Sequence, residues 1–385
     1  MLSTWDTLAE FAPSIAGMSR EALILSMQDL GRWQQKAANG PLPGGGLPYG
    51  ISHLSRMFAI RWTDEHRRRP VAIGASRSFD RAARLAAPGM QGVVCGWMSR
   101  RTAPRASVAL SLFENAGLGF ARLQGWLPEN RRTPHVMLVC WLAEDCQRMT
   151  PSQRRSVARS LRSVSRIAVF SANQVSVLAE CFGVPAAKVC VVPFGVDVDY
   201  YSPSRVGGPA GGGGVVAVGS DSRRDYATLF EAARRSEIPI RVACEPRNLH
   251  GLAVPPQVTI LSGVYDDAYR RLLHQADLVV TATTGPAYPS GQSVVLEAMA
   301  MGRPTLTTDS AAMRDYVRDG IDGVLTPRAD PGALARRMSE LVDSPDRCAA
   351  LGKSAQRRVR ECFDLTTMWD SLIDVMRAAL PPEDR

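Results

Sequence analysis

Residues 215–380 alternate short apolar runs with longer segments in which apolar residues recur at helical spacing. Short apolar runs bounded by polar residues predict buried strands, and the longer period predicts amphipathic helices. The predicted strands are residues 215–219, 240–244, 258–261, 278–281, 305–308 and 323–325. The predicted helices are residues 226–235, 267–275, 293–301, 312–319, 331–342, 347–362 and 366–380. Strands that alternate with helices indicate a parallel sheet covered on both faces.

The first half of the chain shows the same alternation less regularly. Its predicted strands are residues 22–27, 71–74, 93–96, 108–112, 135–141, 167–171 and 189–193. Its predicted helices are residues 51–62, 151–165 and 174–182. Residues 202–214 are rich in proline and glycine, have no periodicity, and predict a boundary between two domains. We therefore predict an α/β protein with two Rossmann-like domains whose parallel sheets face each other across a cleft.

Length and composition agree with this fold. The chain has 385 residues, of which 45% are hydrophobic, and a mean hydropathy of −0.09. These values exclude a disordered tail, a collagen-like repeat and a polytopic membrane protein. The longest apolar runs are too short to span a bilayer, and the opening residues MLSTWDTLAEF lack the apolar region of a secretory signal. We expect a soluble, cytoplasmic protein whose eight cysteines, none spaced C-x-x-C, are reduced and structural.

The net charge of +9 is concentrated in one half of the chain. Residues 1–200 carry a balance of +10 and residues 201–385 a balance of −1, and all but three of the 46 basic residues are arginine. A basic half can attract an anionic acceptor or a membrane surface. An arginine-rich composition with a solvated face is the alternative. The arginine runs are at residues 67–69, 100–101, 131–132 and 154–155.

The segment from Tyr288 to Pro304, YPSGQSVVLEAMAMGRP, predicts an anion site. It follows a strand and a loop with Gly285 and Gly291, and it opens a helix whose first N–H groups are free to bind a diphosphate. Glu297 lies about one turn into this otherwise apolar helix. A carboxylate there is costly unless it meets donors, and paired sugar hydroxyls would satisfy it. A half-exposed glutamate favoured by the helix dipole is the alternative.

Three segments in order resemble the retaining GT-B glycosyltransferases of family 4. The sequence SGQSVVLEAMAMGRPTLTTDSAAMRDYV, residues 290–317, is similar to their donor-site signature. Residues 167–203, with the turn PFGVD, resemble the end of their N-domain. The sequence VAVGSDSRRDYATLFEA, residues 216–232, resembles the first strand, loop and helix of their C-domain. The likeness is strong over residues 167–330 and weak over residues 1–130.

The resemblance implies a GT-B fold and transfer of a sugar from a nucleoside diphosphate sugar with retention of configuration. It implies an acceptor-binding N-terminal domain of residues 1–203 and a nucleotide-sugar-binding domain of residues 204–365. A C-terminal helix, residues 366–385, would cross back to the first domain. No cofactor is implied, because the nucleotide sugar is a co-substrate.

The family pattern also implies roles for residues of this chain. A glutamate matching Glu297 grips the donor ribose, and a basic pair matching Arg223 and Arg224 neutralises the departing diphosphate, so these three are the candidate catalytic residues. Val264 matches the position where backbone atoms meet the donor base. The other donor-binding candidates, of which the last three hold the distal phosphate through their amides, are Gly219, Ser220, Ser290, Gly291, Gln292, Ser293 and Val294.

The chain departs from the family pattern at several positions. The first acid of the family's E-x7-E motif usually contacts the transferred sugar, and Pro289 stands in its place. The arginine after the strand glycine is Ser220 here, and the lysine of that loop is Arg224. The usual N-domain histidine has no match, and Trp141 falls about where it would lie.

Candidate acceptor or cleft residues lie in the first half of the chain. Gly45 and Gly46 belong to a glycine-rich run that matches the family loop lining the cleft, and His53 follows that run. Histidine is the side chain that most often gains or loses a proton near neutral pH. Of the five scattered histidines, His53 is the candidate because it follows this run. Trp141 and Glu144 stand at the end of a predicted strand.

Asp197-Val-Asp199 spells the D-x-D pattern that binds a divalent metal in other glycosyltransferases. Here the pattern follows the PFGV turn at the domain exit. Helix N–H groups and arginines can absorb the diphosphate charge without a metal ion. We therefore predict no metal site.

The missing acid at residue 289 leaves open a catalytically inactive GT-B-like auxiliary or binding protein, because a fold does not guarantee activity. A sugar epimerase would need matching catalytic acids, and a phosphorylase a much longer chain. An NAD dehydrogenase would need a G-x-G-x-x-G loop after a strand. The acceptor stays open between a lipid-linked sugar, a small natural product, a polysaccharide and, least favoured, a nucleic acid.

Overall fold

The computed structural model describes most of the chain. The described residues are 20–26, 33, 35–37, 40–44, 47–62 and 106–382. The strands predicted at residues 71–74 and 93–96, the cleft candidates Gly45 and Gly46, and two of the arginine runs lie outside these ranges.

The chain forms two compact units. The first comprises Met1–Val192 together with Trp369–Arg385, and the second comprises Pro193–Met368. The sequence placed the two corresponding boundaries after residues 203 and 365. Among the described residues, no helix combines the length and the apolar character needed to cross a bilayer.

The first unit contains a six-stranded parallel sheet in the order β2-β1-β3-β4-β5-β6. Its strands are β1 (Glu21–Leu25), β2 (Ala59–Trp62), β3 (Val108–Leu112), β4 (His135–Val139), β5 (Arg166–Val169) and β6 (Val189–Val191). Its helices between β3 and β6 are α1 (Glu114–Gln124), α2 (Leu142–Asp145), α3 (Pro151–Arg162) and α4 (Asn173–Phe182). Strands β3 and β4 are buried along their whole length, as expected for parallel strands with helices on both faces.

Helix α3 shows how local sequence sets an element of this unit. Thr150 and Gln153 form a reciprocal capping box, and Pro151 occupies the first helical position. Val157 and Leu161 then lie on one face and pack into the apolar cluster under the sheet. The cap and the apolar stripe together fix where the helix begins and which face it buries.

The second unit contains a six-stranded parallel sheet in the order β12-β11-β10-β7-β8-β9. Its strands are β7 (Val215–Val218), β8 (Ile240–Ala243), β9 (Val258–Leu261), β10 (Leu278–Thr281), β11 (Thr305–Thr308) and β12 (Val324–Thr326). Its helices are α5 (Pro203–Val206), α6 (Tyr226–Ser236), α7 (Asp266–Gln275), α8 (Gln292–Ala300), α9 (Pro331–Val342) and α10 (Pro345–Cys362). One apolar cluster is built around α7 and α8, and another around α6 and α9.

The strand order of the second sheet reverses between β7 and β10. At such a reversal, the loops after the two strands leave toward opposite faces and open a crevice at the carboxyl ends. The loop after β7 is residues 219–225, and the loop after β10 is residues 282–291. The fold therefore directs attention to these two loops and to the helix that follows the second.

The predicted fold class, two Rossmann-like α/β units with parallel sheets, is confirmed. Two predicted helices are wrong in part. Residues 51–62 do not form one helix, because a 3₁₀ helix, Pro48–Arg56, is followed directly by β2. That 3₁₀ helix is kinked where Tyr49 and Gly50 adopt left-handed backbone angles. The helix predicted at 312–319 is reduced to a short 3₁₀ turn, Met313–Asp315.

Helix α11 (Leu365–Ala379) ends the described fold, and Trp369 is the first residue of its part in the first unit. Trp369 is fully buried, and its indole Nε1–H donates to the carbonyl oxygen of Tyr49 at 2.7 Å. The next residue of α11, Asp370, forms an ion pair with Arg56 of the 3₁₀ helix at 3.3 Å. The indole bond ties α11 to the kinked 3₁₀ helix within the first unit.

Candidate functional site

The two loops at the strand reversal of the second sheet are joined by backbone hydrogen bonds. The N–H of Asp225 donates to the carbonyl of Ala282 at 3.0 Å, and the N–H of Thr284 donates to the carbonyl of Arg223 at 2.9 Å. Arg224 forms an antiparallel bridge with Thr283 between these bonds. The backbone at Arg224 is therefore fixed on both sides, and its side chain starts from a defined point.

The guanidinium group of Arg224 lies between two glycines, Gly219 and Gly291. A Cβ atom at Gly219 would collide with the guanidinium, and one at Gly291 would lie 3.1 Å from its Cζ and 2.5 Å from Cγ2 of Thr281. Both glycines also have positive φ angles, 149° and 90°, which other residues rarely adopt. The two glycines leave the space that the arginine occupies.

Two donors of Arg224 are left without a protein acceptor. Its Nε and Nη1 atoms are buried and have no hydrogen-bond partner among the residues that the structure describes. Thr281 Oγ1 and Ser290 Oγ, in the same part of the crevice, are also buried and unpartnered. A buried donor without an acceptor costs about 1–3 kcal/mol, and more when it is charged. This cluster of groups is suited to an anion that brings acceptor oxygens.

Helix α8 begins at the same place. Gly291 is its N-cap, and no side chain caps the first turn. The N–H of Gln292 donates to the carbonyl of Pro289 at 3.1 Å, whereas the N–H groups of Ser293 and Val294 lie in the first turn, where the helix offers no acceptor. Of the three amides expected to hold a phosphate, two are thus open and one is already engaged.

Glu297 lies one turn into α8 and is half-buried in an apolar setting. Burial raises the pKa of its carboxyl group from 4.5 to about 7, although hydrogen bonds from Tyr269 and Tyr201 and the charge of Arg224 act in the opposite direction. The hydroxyl of Tyr269 donates to Oε2 of Glu297. The carboxylate that the sequence singled out is therefore close to Arg224 and titrates near neutral pH.

Sequence reasoning missed the two tyrosines around Glu297. Tyr269 is on α7, Tyr201 precedes α5 and is buried, and their rings meet edge to face at 6.4 Å between centroids. Arg270 holds this arrangement from α7: its guanidinium lies 4.2 Å from the centroid of the Tyr200 ring and donates to the Tyr200 carbonyl at 3.1 Å. The only signal in the sequence is the adjacent pair Tyr200-Tyr201, which does not reveal a contact with residue 297.

Asp221 and Tyr288 form a second connection that the sequence did not predict. The hydroxyl of buried Tyr288 lies 2.8 Å from both carboxylate oxygens of Asp221. Oδ1 of Asp221 also accepts from the N–H of Arg223 at 2.8 Å. Asn248 donates to the carbonyls of Ser220 and Asp221 at 3.3 and 3.2 Å. These bonds link the loop after β7 to the end of the loop after β10.

The remaining residues predicted to bind the donor differ in their exposure and in their contacts. Ser220 is exposed, and Ser290 and Pro289 are buried in the loop before α8. Val264 is half-buried after β9 and packs against the cluster around α8. Asp197 is used locally, since its Oδ1 accepts from the N–H groups of Asp199 and Tyr200 at 3.2 and 2.9 Å. Across the described residues, no three His, Cys, Asp or Glu side chains converge on one point.

In the first unit, Trp141 stands at the carboxyl end of β4 and is 38% exposed. Its ring lies 5.1 Å from the ring of Phe113, which in turn lies 5.4 Å from the ring of Tyr49. Glu144, one turn further on, is half-buried. His53 is half-buried, and its Nδ1 lies 2.9 Å from Nη2 of Arg56.

Glu114 is a second residue that the sequence did not single out. It is buried at the start of α1, and its oxygens accept from the N–H groups of Cys140 and Trp141 at 3.1 and 2.7 Å. Burial raises the pKa of Glu114 to about 7, and the charge of Asp145 adds to this. Phe113, just before it, has a φ of 70°, which costs energy for a residue with a side chain. This carboxyl fixes the backbone from which Trp141 projects.

Comparison with known proteins links part of the second unit to a family model. Residues 229–344, which include the loop after β10 and all of α8, match the family model described as glycosyl transferases group 1. A D-inositol 3-phosphate glycosyltransferase of Thermobispora bispora is 28% identical over 226 residues, which cover 50% of this chain and 51% of that protein. The corresponding Streptomyces avermitilis protein is 25% identical over 325 residues, covering 76% and 70%. The chain thus spans about half the length of the first of these relatives.

Solved structures give the same answer for the fold. The Anabaena protein HepE, determined in complex with UDP and glucose, has a TM-score of 0.67 at 16% identity, covering 93% of this chain and all of HepE. The chain has the GT-B fold, and its residues 229–344 match a group 1 glycosyl transferase domain. The expected GT-B fold is therefore confirmed, and the expected resemblance to family 4 agrees with the matched domain.

In this GT-B protein, the bond from Tyr269 should set the titration of Glu297. Tyr269→Phe removes a donor that stabilises the ionised carboxylate, so the pKa of Glu297 should rise by about one more unit. Infrared difference spectra across a pH titration would follow the carboxyl band, with Glu297→Gln to assign it. Tyr265→Phe, an exposed hydroxyl bonded to Glu245, is the matched control and should leave the titration unchanged. An unchanged titration in Tyr269→Phe would contradict this role.

Proposed function

We propose that this chain is a glycosyltransferase that takes a sugar from a nucleoside diphosphate sugar, with retention of configuration and without a metal ion. One observation carries the proposal: the guanidinium of Arg224, two of whose buried donors have no acceptor among the described residues, lies beside the open start of α8 and close to Glu297. A cation and free N–H groups bind a diphosphate, and a carboxylate one turn away binds hydroxyls. A nucleoside diphosphate carries both groups in one molecule.

In this proposal the second unit binds the nucleotide. Arg224 and the N–H groups of Ser293 and Val294 contact the phosphates, and Glu297 accepts hydrogen bonds from the ribose hydroxyls. Val264, which follows β9 in the same unit, contacts the base. Since HepE was determined with UDP and with UDP and glucose, UDP-glucose is the first donor to test.

The chemistry that these groups can support is displacement on one face of the sugar. The bond between the anomeric carbon and the diphosphate oxygen breaks, and an acceptor oxygen bonds to that carbon from the same side. The acceptor's proton passes to an oxygen of the departing diphosphate. Arg224 and the start of α8 stabilise the charge on that group, and Arg223 is the second candidate for this role. Such stabilisation accelerates the reaction because it grows as the bond breaks.

The acceptor is proposed to bind at the carboxyl end of the first sheet. Trp141 and Glu144 lie there, and His53 is the remaining described candidate in that unit. The curated relatives are named for D-inositol 3-phosphate, so this compound is the first acceptor to test. A lipid-linked sugar and a neutral glycoside should be tested in parallel.

A catalytically inactive binding protein is the second candidate, because Pro289 replaces an acid that contacts the transferred sugar in the family. Release of UDP or GDP from UDP-, GDP- and dTDP-sugars, with and without acceptor, separates the two. Nucleotide binding without any release would favour the inactive protein. Product formation, with the anomeric configuration read by NMR, would establish both transfer and retention.

We expect nucleotide affinity to rise with pH up to about 7. Ribose hydroxyls bind the ionised carboxylate of Glu297, whose pKa is raised to about 7, so affinity should fall roughly tenfold per pH unit below that value. Calorimetry with UDP between pH 5.5 and 8.5 measures this. Glu297→Gln should bind about 1–3 kcal/mol more weakly at pH 8 and lose most of the pH dependence. Its remaining dependence reports the phosphate itself, and an unchanged affinity would rule out the ribose contact.

Arg224→Ala should lower turnover by about 10²–10³ while leaving the fold stable, because the side chain stabilises a departing charge. Two of its buried donors have no acceptor in the part of the chain that the structure describes, so removing them should not lower the melting temperature. Arg336→Ala on the exposed face of α9 is the control. Arg223→Ala tests the other member of the pair. Near-normal turnover of folded Arg224→Ala would place the diphosphate clamp elsewhere.

Turnover should persist in EDTA. Arg224 and the N–H groups at the start of α8 supply the positive charge that a divalent ion would otherwise bring. Initial rates before and after chelation, and after adding back Mg²⁺ or Mn²⁺, decide the matter. A complete loss that Mg²⁺ or Mn²⁺ restores would return Asp197 and Asp199 to consideration.

A further inference from the structure

The loop between α1 and β4 carries an exposed apolar tip. Residues 125–131 are all exposed, and within this run Trp126 is 68% and Leu127 40% exposed. Among the described residues, Trp126 is the most exposed of the large hydrophobic side chains. An indole ring kept in water forgoes a hydrophobic gain that burial would supply, so its exposure calls for a physical reason.

The backbone of this loop is held in place. The N–H groups of Trp126 and Leu127 donate to the carbonyls of Leu123 and Gln124 at 3.1 and 3.0 Å. From the other side, Nε of Arg132 donates to the carbonyl of Leu127 at 3.0 Å. The side-chain oxygen of Gln124 also accepts from the N–H of Thr133 at 3.1 Å. The two apolar side chains are therefore presented by a tied turn.

Arginines surround this tip. Arg131 and Arg132 are in the loop itself, and Arg159 and Arg162 lie at the end of α3. The ends of α1 and α3 are adjacent, because Oγ of Ser163 donates to the carbonyl of Ala121. We define the tip and these four arginines as the basic edge.

The positive charge of the basic edge is not balanced within the described residues. No ion pair among them involves any of the four arginines, whereas several other arginines of the chain are paired. The charge of Arg159 also contributes, after burial, to lowering the pKa of neighbouring Arg122. Glu129 is the one acid in the loop of residues 125–134. The surplus favours an anionic partner.

We propose that the basic edge docks on an anionic membrane surface, with Trp126 and Leu127 inserted at the headgroup boundary and the arginines on lipid phosphates. An indole ring with one polar and one apolar side suits that boundary. Each arginine near such a surface strengthens binding about fivefold. A bilayer has an apolar layer next to a plane of phosphates. The apolar tip would contact the first and the arginines the second. This inference does not depend on the proposed glycosyl transfer.

Docking here would leave the carboxyl end of the first sheet open. The loop from α1 enters β4 at its amino end, whereas Trp141 follows its carboxyl end. A five-residue strand, His135–Val139, separates the two edges by about 17 Å. The basic edge would thus hold the protein at a membrane while the candidate acceptor residues stay accessible.

Co-sedimentation with lipid vesicles tests the proposal on the full chain. Wild-type protein should pellet with vesicles of phosphatidylcholine and phosphatidylglycerol but not with phosphatidylcholine alone. Trp126→Ser should weaken this binding about tenfold. Arg131→Gln combined with Arg132→Gln should weaken it roughly twentyfold. Binding should also fall as salt rises to about 0.5 M.

Matched controls carry the same changes elsewhere on the surface. Ile321→Ser removes another exposed apolar side chain, and Arg357→Gln combined with Arg360→Gln removes two exposed arginines from α10. Both controls should pellet like wild type. All variants alter exposed or half-exposed side chains, and melting curves would verify that each is folded.

Three results would overturn the proposal. The first is wild-type protein that stays in solution with anionic vesicles. The second is equal loss of binding in the control variants. The third is binding that needs the arginines but is unchanged by Trp126→Ser, because the basic edge would then adsorb to any polyanion. A single-stranded RNA competitor identifies that last case, since it would displace the protein from the vesicles.

Discussion

The guanidinium group of Arg224 lies where the strand order of the second sheet reverses, with a glycine on either side. Two of its donors have no partner among the described residues. Backbone bonds that join the loops after β7 and β10 fix the point from which this side chain starts. A preorganised cation of this kind needs no rearrangement when an anion arrives. The free protein bears the energetic cost, because it buries two Arg224 donors that have no acceptor among the described residues.

The state of Glu297 follows from the same arrangement. Burial alone would keep its carboxyl protonated, and the charge of Arg224 with two tyrosine hydroxyls brings its pKa back to about 7. Tyr269 and Tyr201 must stay protonated to act as donors, and burial raises the pKa of both well above the usual value. A carboxylate, a guanidinium and two phenols therefore form one coupled group, in which a change at any member alters the charge of Glu297.

The parts of the site that could be predicted are those whose residues are close together in the sequence. Gly291, the start of α8 and Glu297 are neighbours in sequence, and a strand, a glycine loop and a helix fix their relative positions. Arg224 lies in the loop that follows β7 and was proposed because that loop resembles the first C-domain loop of the family. The partners of Glu297 were not, because Tyr201 and Tyr269 approach it only when α5, α7 and α8 pack together. Glu114 was missed likewise: its acceptor role depends on the register of β3 beside β4.

The error in the fold prediction at residues 51–62 has its origin in strand pairing. These residues have apolar side chains at helical spacing, but the structure forms a 3₁₀ helix that is kinked at Tyr49 and Gly50 and ends at Arg56. The last residues then pair with β1 in the sheet, where extended backbone gains a full ladder of hydrogen bonds. Tertiary pairing outweighed a helical pattern that was only a few turns long.

Pro289 shows how the loop before α8 can keep its shape without the acid found there in the family. Tyr288 holds the loop because its hydroxyl donates to the carboxylate of Asp221. The same carboxylate accepts from the backbone N–H of Arg223. A proline at residue 289 restricts the backbone further. The groups proposed to bind phosphate are thus positioned by contacts that do not involve the side chain of residue 289. We therefore expect replacement of the acid to act on which sugar is accepted, and the proposed binding of a diphosphate to depend on Arg224 and the start of α8.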